Sequence, residues 1–442
     1  MTPTTPPRSA ATNRTSRASL PGSDDTLRKR LPNGLTVLVR ENFASPAVVI
    51  SGYVRAGALD ESAEHFGLAG FTGDVMQRGT QQRTFRELYE DVESIGATFG
   101  LNTATTTSAF GAKGLAGNLP VLLDVLADIL RHPSFPERQI EKVRSEILTD
   151  IQERRHDTRR MASLKFYELA YPDDHPYHWS QLGYEATVQS ITRDDLVAFH
   201  RENIDPGDAV IAVVGGIGMS EAVAMVEDAF GDWESDRGAR TPMPPAPPLT
   251  ERCESHIALE DKTQSNLVLG WPGPPRSHPD YVPCYVANTI LGTFGMYGRL
   301  GASVRETHGL AYYIYSRVDG GPGPGPWRIL AGVNPTNVDQ SLSLIRDEIR
   351  RMQDAPVPEE ELGDSQSYLT GSLPLRLETN EGVARSLVNI ERHDLGLDYL
   401  RDYQQMIQAI TADEVQRVVQ QWMDPDHDAV SIAEPESAQT AP

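Results

Sequence analysis

The alternation of apolar and polar side chains predicts a regular order of elements in the first half of the chain. Residues 47–53 alternate as a strand does, and residues 68–75 then carry apolar side chains at helical spacing. The Thr-rich residues 97–115 follow with a strand-like pattern. Asn118 next precedes an apolar helical stripe, and Asn is a favoured residue at the start of a helix.

The second half repeats this order. Residues 267–270 are strand-like, residues 281–291 are helical, and two strands are predicted over 311–318 and 328–333 before a helix that carries Leu342. Such a repetition indicates a duplicated unit. The pattern therefore predicts an α+β fold of two similar tandem domains, each a mixed, mostly antiparallel sheet covered by helices.

Composition places the domain boundaries. Residues 236–250 are rich in proline and predict a linker between domains over 25–235 and 251–435. Residues 1–24 and 436–442 predict tails; the first contains Thr, Pro, Ser and Arg with almost no large apolar side chain, which predicts disorder. Because this segment also lacks the apolar centre of a secretory signal, we expect a cytoplasmic protein.

Charge and cysteine content exclude several classes of protein. The formal net charge of -22 provides no basic surface for nucleic acid, and two cysteines cannot form a disulfide scaffold or a thiolate zinc site. The longest nearly apolar run, residues 209–219, is about half of what a bilayer helix needs. The acidic charge either favours basic or extended peptides or serves solubility.

Seven short motifs carry a family resemblance. In the first half they are residues 31–37 (LPNGLTV), 56–58 (AGA), 67–69 (GLA) and 78–80 (RGT). In the second half they are residues 290–292 (ILG), 299–300 (RL) and 304–312 (VRETHGLAY). Together they resemble the insulinase-type zinc metallopeptidases of the inverted-motif clan, above all the branch of mitochondrial processing peptidase and its small bacterial relatives. The resemblance implies one half of a two-part clamshell chamber.

The zinc motif of that family is missing. Its peptidases carry His-x-x-Glu-His on the helix after Gly-Leu-Ala, where this chain has Gly70, Gly73 and Asp74. The resemblance puts the third zinc ligand at Asp150. A catalytic zinc needs about three protein ligands and a water that a base deprotonates, whereas Asp74 and Asp150 form at best a weak carboxylate site for magnesium or calcium. We therefore predict no metal, no cofactor and no catalytic residue in this chain.

Three histidines and a glycine-rich run are interpreted as structural features and not as ligand-binding sites. His65 lies before the helix of the lost motif and is interpreted as a solvated helix start. His175 and His178 lie in a proline-interrupted segment, which indicates a structural turn. Residues 320–326 lack the Lys-Ser/Thr of a phosphate-binding loop and indicate a long hairpin turn.

Arg305 and Tyr312 are the predicted substrate-binding residues. Arg305 lies near the end of a helix closed by Gly309, and Tyr312 begins the next strand. The resemblance implies that this pair reaches across the chamber and donates hydrogen bonds to a substrate carbonyl oxygen, as guanidinium and phenol groups can. Strand alternation puts Tyr312 on the face of Ile314. The simpler alternative is a surface Arg paired with Glu306 or another acid, beside a Tyr that packs.

Dimeric relatives pair a subunit that bears the zinc motif with one that lacks it, and this chain resembles the second kind. The sequence thus predicts a non-catalytic, substrate-binding subunit of a heterodimeric zinc endopeptidase, inactive alone, with zinc in a paralogous partner. The alternative is a structural scaffold protein of the same fold, similar to the core subunits of respiratory complexes. A peptidase with altered metal chemistry is disfavoured by Gly70 and Gly73 together.

Overall fold

A six-stranded mixed sheet organises the first half of the computed structural model, which describes residues 20–235, 242–293 and 297–436. Its strands are β1 Leu27–Arg30, β2 Thr36–Glu41, β3 Ala47–Val54, β4 Thr98–Thr103, β5 Ser108–Leu115 and β6 Val210–Gly215. They lie in the order β1-β2-β6-β3-β5-β4. The β2–β6 pair is parallel and the other pairs of this described sheet are antiparallel.

A five-stranded sheet organises the second half. Its strands are β7 Cys253–Leu259, β8 Ser265–Pro272, β9 Ala311–Val318, β10 Pro326–Val333 and β11 Ala429–Pro435. The order β7-β11-β8-β10-β9 repeats the order of β2 to β6 strand for strand, and the β7–β11 pair is parallel, as the β2–β6 pair is. The predicted α+β fold of two similar halves, each with a mixed, mostly antiparallel sheet, is confirmed.

Helices cover both sheets. In the first half they are α1 Leu68–Met76, α2 Phe85–Glu93, α3 Leu119–Arg131, α4 Glu137–Arg155, α5 Thr158–Ala170, α6 Glu185–Ser190, α7 Arg193–Asn203 and α8 Met219–Phe230. In the second half they are α9 Tyr281–Asn288, α10 Val338–Asp354, α11 Glu359–Arg376, α12 Asn380–Arg392, α13 Tyr399–Gln408 and α14 Ala412–Trp422. Two π-helical segments, Thr289–Thr293 and Gly301–Thr307, lie between α9 and β9. In the described chain, no helix has the length and apolar character needed to cross a membrane.

Each half places one helix on the sheet of the other half. Helix α5 packs on β7, β8 and β11, where Phe166 is fully buried among apolar side chains of the second sheet. Helix α12 packs on β3 and β6, where Leu387 is fully buried against the first sheet. Asn266 of β8 also donates a hydrogen bond of 2.6 Å to the hydroxyl of Thr158. Burying an apolar face of each helix in this way joins the halves through two hydrophobic cores.

The predicted linker and tails are only partly described. Within the predicted linker over 236–250, residues 236–241 lie outside the described residues, and the carbonyl of Pro244 is bound by His175 of the first half. Of the predicted tail over 1–24, residues 20–24 lie on the second half, where the Ser23 backbone donates to Asp398 at 2.9 Å. Residues 1–19 and 437–442 lie outside the described residues.

Candidate functional site

Helix α1 carries the positions of the lost zinc motif. The backbone of Gly67 adopts a left-handed φ of +97° at its start, and the carboxylate of Glu61 accepts hydrogen bonds from the backbone N–H groups of Gly67 and Ala69 at 3.0 and 2.7 Å. Burial raises the pKa of Glu61 to about 8, while these two donors act in the opposite direction. The two carboxyl oxygens of Glu61 satisfy free N–H groups of the first turn, so the sequence still forms this helix without the metal ligands.

Gly70 and Gly73 differ in the space around them. A Cβ atom at Gly70 would meet only the carbonyl oxygen of Gln181, at 3.5 Å, which is an ordinary contact. A Cβ atom at Gly73 would lie 2.3 Å from the Thr103 hydroxyl and 2.9 Å from a methyl group of Leu101. Strand β4 therefore occupies the volume that a general base at Gly73 would require.

Asp150, the predicted position of the third ligand, is held by an arginine. Both terminal nitrogens of Arg160 donate to its two oxygens, at 2.7 and 3.0 Å. These hydrogen bonds lower the pKa of Asp150. A bidentate guanidinium uses the oxygen lone pairs that a cation would need, so Asp150 is charge-compensated within the protein.

Asp74 is the other carboxylate of the region. Burial raises its pKa to about 6, Arg78 opposes this rise, and Glu146 adds to it. Asp74 is nevertheless an exposed residue. It is therefore a solvent-facing acid near Arg78 and not a carboxylate preorganised by donors for a cation.

These residues do not fit a zinc ion. Gly70 and Gly73 provide no ligand, and Asp150 is already bound to Arg160. In the part of the chain that the structure describes, no three His, Cys, Asp or Glu side chains form a group that could hold a metal. The imidazole nitrogen and the base that zinc hydrolysis uses are both missing from this helix.

The three histidines make local contacts. His65 lies 3.1 Å from the hydroxyl of Ser62 in a turn before α1. His175 is buried, accepts a backbone hydrogen bond from Tyr177 through Nδ1, and binds the linker carbonyl of Pro244 through Nε2. His178 contacts the carbonyl of Tyr171 at 2.8 Å. The last two thus hold a turn. Residues 319–325 connect β9 to β10, so the predicted hairpin turn lies there, and Pro326 is the first residue of β10.

Arg305 lies on the π-helical segment that leads into β9. Its carbonyl accepts a hydrogen bond of 3.0 Å from Gly309, which has a left-handed φ of +65° and ends the segment. Its side chain is exposed and makes no ion pair with any residue in the described ranges, Glu306 included. The guanidinium is therefore free to bind a group from outside the chain.

Tyr312 is 60% exposed and occupies a β-bulge. Ala311 pairs with Val333 and Tyr313 with Gly332, which leaves Tyr312 without a partner residue across the strand pair. The alternation that put Tyr312 on the face of Ile314 is therefore wrong, because the inserted residue shifts the register: Ile314 is buried in the core and Tyr312 is not. Bulges of this kind redirect side chains.

Sequence reasoning missed an arginine-lined cavity. This cavity of about 960 Å³ lies between the halves, bounded by α4, α5 and residues 177–182 on one side and by the β9–β10 hairpin on the other. It lies near the zinc-motif positions, since Gln181 lines it and the carbonyl oxygen of Gln181 is 3.5 Å from where a Cβ atom at Gly70 would lie. The pairs Arg154-Arg155 and Arg159-Arg160 were the available sequence signal.

Comparison with known families and proteins gives consistent matches. The family model described as Insulinase (Peptidase family M16) matches residues 36–175, and the model described as Peptidase M16 inactive domain matches residues 190–369. An uncharacterised zinc protease of Streptomyces coelicolor is 26% identical over 88% of this chain and 86% of its own length. A probable β subunit of the mitochondrial processing peptidase of Arabidopsis thaliana is 30% identical over 60% of this chain and 50% of its own length.

Solved structures share the fold. The M16 inactive domain of Pseudomonas fluorescens has a TM-score of 0.87 at 23% identity and covers 93% of this chain and 98% of its own. A protease of Helicobacter pylori has a TM-score of 0.86 at 19% identity, over 94% of this chain and 100% of its own. The two family models together match well over half of the chain. The chain belongs to the insulinase (M16) peptidase family and lacks that family's zinc motif.

Proposed function

We propose that this chain is the non-catalytic, substrate-binding subunit of a heterodimeric zinc endopeptidase that cleaves oligopeptides in a closed chamber. A paralogous subunit with an intact His-x-x-Glu-His motif would hold the zinc. One contrast carries the proposal. The zinc-motif positions hold Gly70 and Gly73, while Arg305 and Tyr312 remain solvent-facing and, among the described residues, unpaired.

The placement of the pair suits contact with a peptide. Strand β9 is at the edge of its sheet and pairs with β10 alone among the described strands. Tyr312 projects from the bulge of this strand. A phenol and a guanidinium both donate hydrogen bonds to a carbonyl oxygen and stabilise it further as it gains negative charge.

The names of similar proteins support a role in proteolysis. Several bacterial relatives are named zinc proteases, and the Arabidopsis relative is named as one subunit of a processing peptidase. The name of the Arabidopsis relative therefore supports a role for this chain beside a partner subunit. The Arg/Tyr pair would then be this chain's contribution to the partner's active site.

Reconstitution tests the proposal. This chain would be mixed with a paralogue from the same organism that has an intact zinc motif, and chelator-sensitive cleavage of quenched fluorescent peptides would be measured for each chain and for the pair. We expect activity from the pair only. The matched control is Arg86→Ala, which removes an exposed arginine of α2 far from β9.

Two results would contradict the proposal. One is full activity of the paralogue without this chain; the other is unchanged activity of the pair when Arg305→Ala and Tyr312→Phe are introduced. A complex that forms without any gain in peptidase activity would favour the scaffold alternative. Size-exclusion chromatography with light scattering would establish whether the complex forms in each case.

A further inference from the structure

The cavity between the halves is positively charged in an acidic protein. Its described lining contains five arginines and two aspartates, whereas the whole chain has a net charge of -22. The five arginines are Arg154, Arg159, Arg160, Arg317 and Arg328. A concave site of one sign concentrates field lines and attracts ligands of the opposite sign.

Two internal acids bind three of these arginines. Arg160 binds Asp150 at 2.7 Å. Arg317 and Arg328 both pair with Asp319 in the hairpin connection. All three arginines are therefore held by ion pairs within the chain, and Arg317 and Arg328 share one carboxylate.

The other two arginines form no ion pair in the described ranges, although the charge of Asp157 acts on Arg159 and that of Asp150 on Arg154. Arg154 is only 8% exposed; its terminal nitrogens donate to the hydroxyl of Ser180 at 2.5 Å and to the carbonyl of Gly183 at 3.2 Å, and its buried Nε has no hydrogen-bond partner there. Arg159 donates to the hydroxyl of Tyr315 at 2.7 Å. A buried cation bound only by neutral groups is costly, and an anionic ligand would lower that cost.

We propose that this cavity binds the carboxylate side chains of an acidic peptide segment, with Arg154 and Arg159 as the anion-binding groups. The proposal rests on the proposed function only in taking the ligand to be a peptide. A volume of about 960 Å³ exceeds what one small oxyanion fills, and Tyr167, Tyr177 and Trp179 line it with aromatic surface for neighbouring side chains. The cavity would thus prefer acidic peptides, whereas the net charge of the chain favours basic ones.

Peptide binding by this chain alone tests the inference. Fluorescence anisotropy would compare a labelled peptide rich in Glu with a matched peptide in which Gln replaces each Glu. We expect the Glu peptide to bind more tightly and its affinity to fall with added salt. Arg159→Gln should weaken binding of the Glu peptide about ten- to a hundredfold, the range of one charge-assisted hydrogen bond.

Matched variants separate the site from net charge and from folding. Arg86→Gln removes the same charge from the exposed face of α2 and should leave binding unchanged. Arg154→Gln should weaken binding at least as much as Arg159→Gln; because Arg154 is buried, circular dichroism must first show that this variant is folded. If Arg154→Gln does not fold, the dissociation constant of the Arg159→Gln variant is the deciding measurement, because Arg159 is exposed.

Two outcomes would overturn the inference: equal binding of the Glu and Gln peptides, or an unchanged dissociation constant for Arg159→Gln. Competition by inorganic phosphate as effective as that by the Glu peptide would overturn the assignment to a peptide. Since no partner subunit is present, these outcomes are independent of the reconstituted activity. The binding experiment can therefore refute the acidic-peptide site without refuting the heterodimer, and reconstitution can refute the heterodimer without refuting the site.

Discussion

Arg160 binds both oxygens of Asp150, at 2.7 and 3.0 Å, at the position where the family resemblance puts a zinc ligand. A guanidinium thus occupies the place beside this carboxylate that the resemblance gives to a metal ion. The negative charge of Asp150 on α4 is therefore compensated within the chain.

Removing this ion pair should cost little stability. Both side chains are more than a third exposed, so Arg160→Ala should lower the free energy of unfolding by about 0.5–1 kcal/mol at neutral pH. The pair lowers the pKa of Asp150, so its contribution is present above the unfolded-state value of about 4 and disappears as the pH falls through the lower folded-state value. Urea denaturation at several pH values measures this; a loss as large at acid pH as at neutral pH would contradict it.

The purified chain should hold no stoichiometric zinc and should leave unstructured peptides uncut. The reason is the lack of imidazole ligands and of a general base at Gly70, Gly73 and Asp74. Elemental analysis and a fluorogenic peptide assay check both expectations. About one tightly bound zinc per chain, together with cleavage that a chelator abolishes, would refute the prediction.

Two glycines of α1 should respond in opposite ways to alanine. Gly70→Ala should raise the free energy of unfolding by about 0.5–1 kcal/mol, because alanine is the better helix former and its Cβ meets only an ordinary contact. Gly73→Ala should lower it by about 1–3 kcal/mol, because the Cβ would collide with Thr103 and Leu101. Urea denaturation of the two variants decides the matter. Equal effects would show that β4 can move away.

Asp74 should make stability depend on pH in a defined direction. Burial raises its folded-state pKa to about 6, so the folded protein holds this proton more tightly than the unfolded chain. The associated stability is complete below the unfolded-state value of about 4 and is lost as the pH rises through about 6. Asp74→Asn should therefore stabilise the protein at neutral pH, modestly because solvent reaches the side chain, with no gain below about pH 4. A gain that is the same at both pH values would contradict this account.

In the reconstituted pair, Arg305→Ala and Tyr312→Phe should lower kcat. The loss of one donor to a developing oxyanion costs ~2.7–4 kcal/mol, about a hundred- to a thousandfold in rate. Because the proposed contact strengthens in the transition state, KM alone cannot account for the change. Steady-state kinetics separates the two constants. An effect confined to KM would reduce the pair to a role in ground-state binding.

The fold could be predicted where local pattern and packing agree. The alternation over 47–53 became β3 Ala47–Val54, and the stripe after Asn118 became α3 Leu119–Arg131, because each segment buries one face in its own half. The exchange of α5 and α12 could not be predicted in this way. The partners of Phe166 lie on strands far along the sequence, and no local period identifies them.

The candidate site, too, could be predicted only in part from the sequence. The missing zinc ligands are visible as Gly70 and Gly73, because a motif consists of residue identities at fixed spacing. Alternation fails at Tyr312, because a bulge inserts one residue and only the paired strand β10 reveals it. The sequence also could not predict that Arg154 is hydrogen-bonded to neutral groups, because this depends on its tertiary neighbours Ser180 and Gly183.

The mutual placement of α5 and α12 limits how a chamber could open. A hinge inside this chain would have to pull Phe166 and Leu387 out of two separate hydrophobic cores, and exposing one such side chain costs about 1.5–3 kcal/mol. A hinge movement between the halves would therefore cost the free energy of exposing several such side chains at once. The chain should move as one rigid body, and in the proposed heterodimer a peptide would enter along the boundary between the two chains.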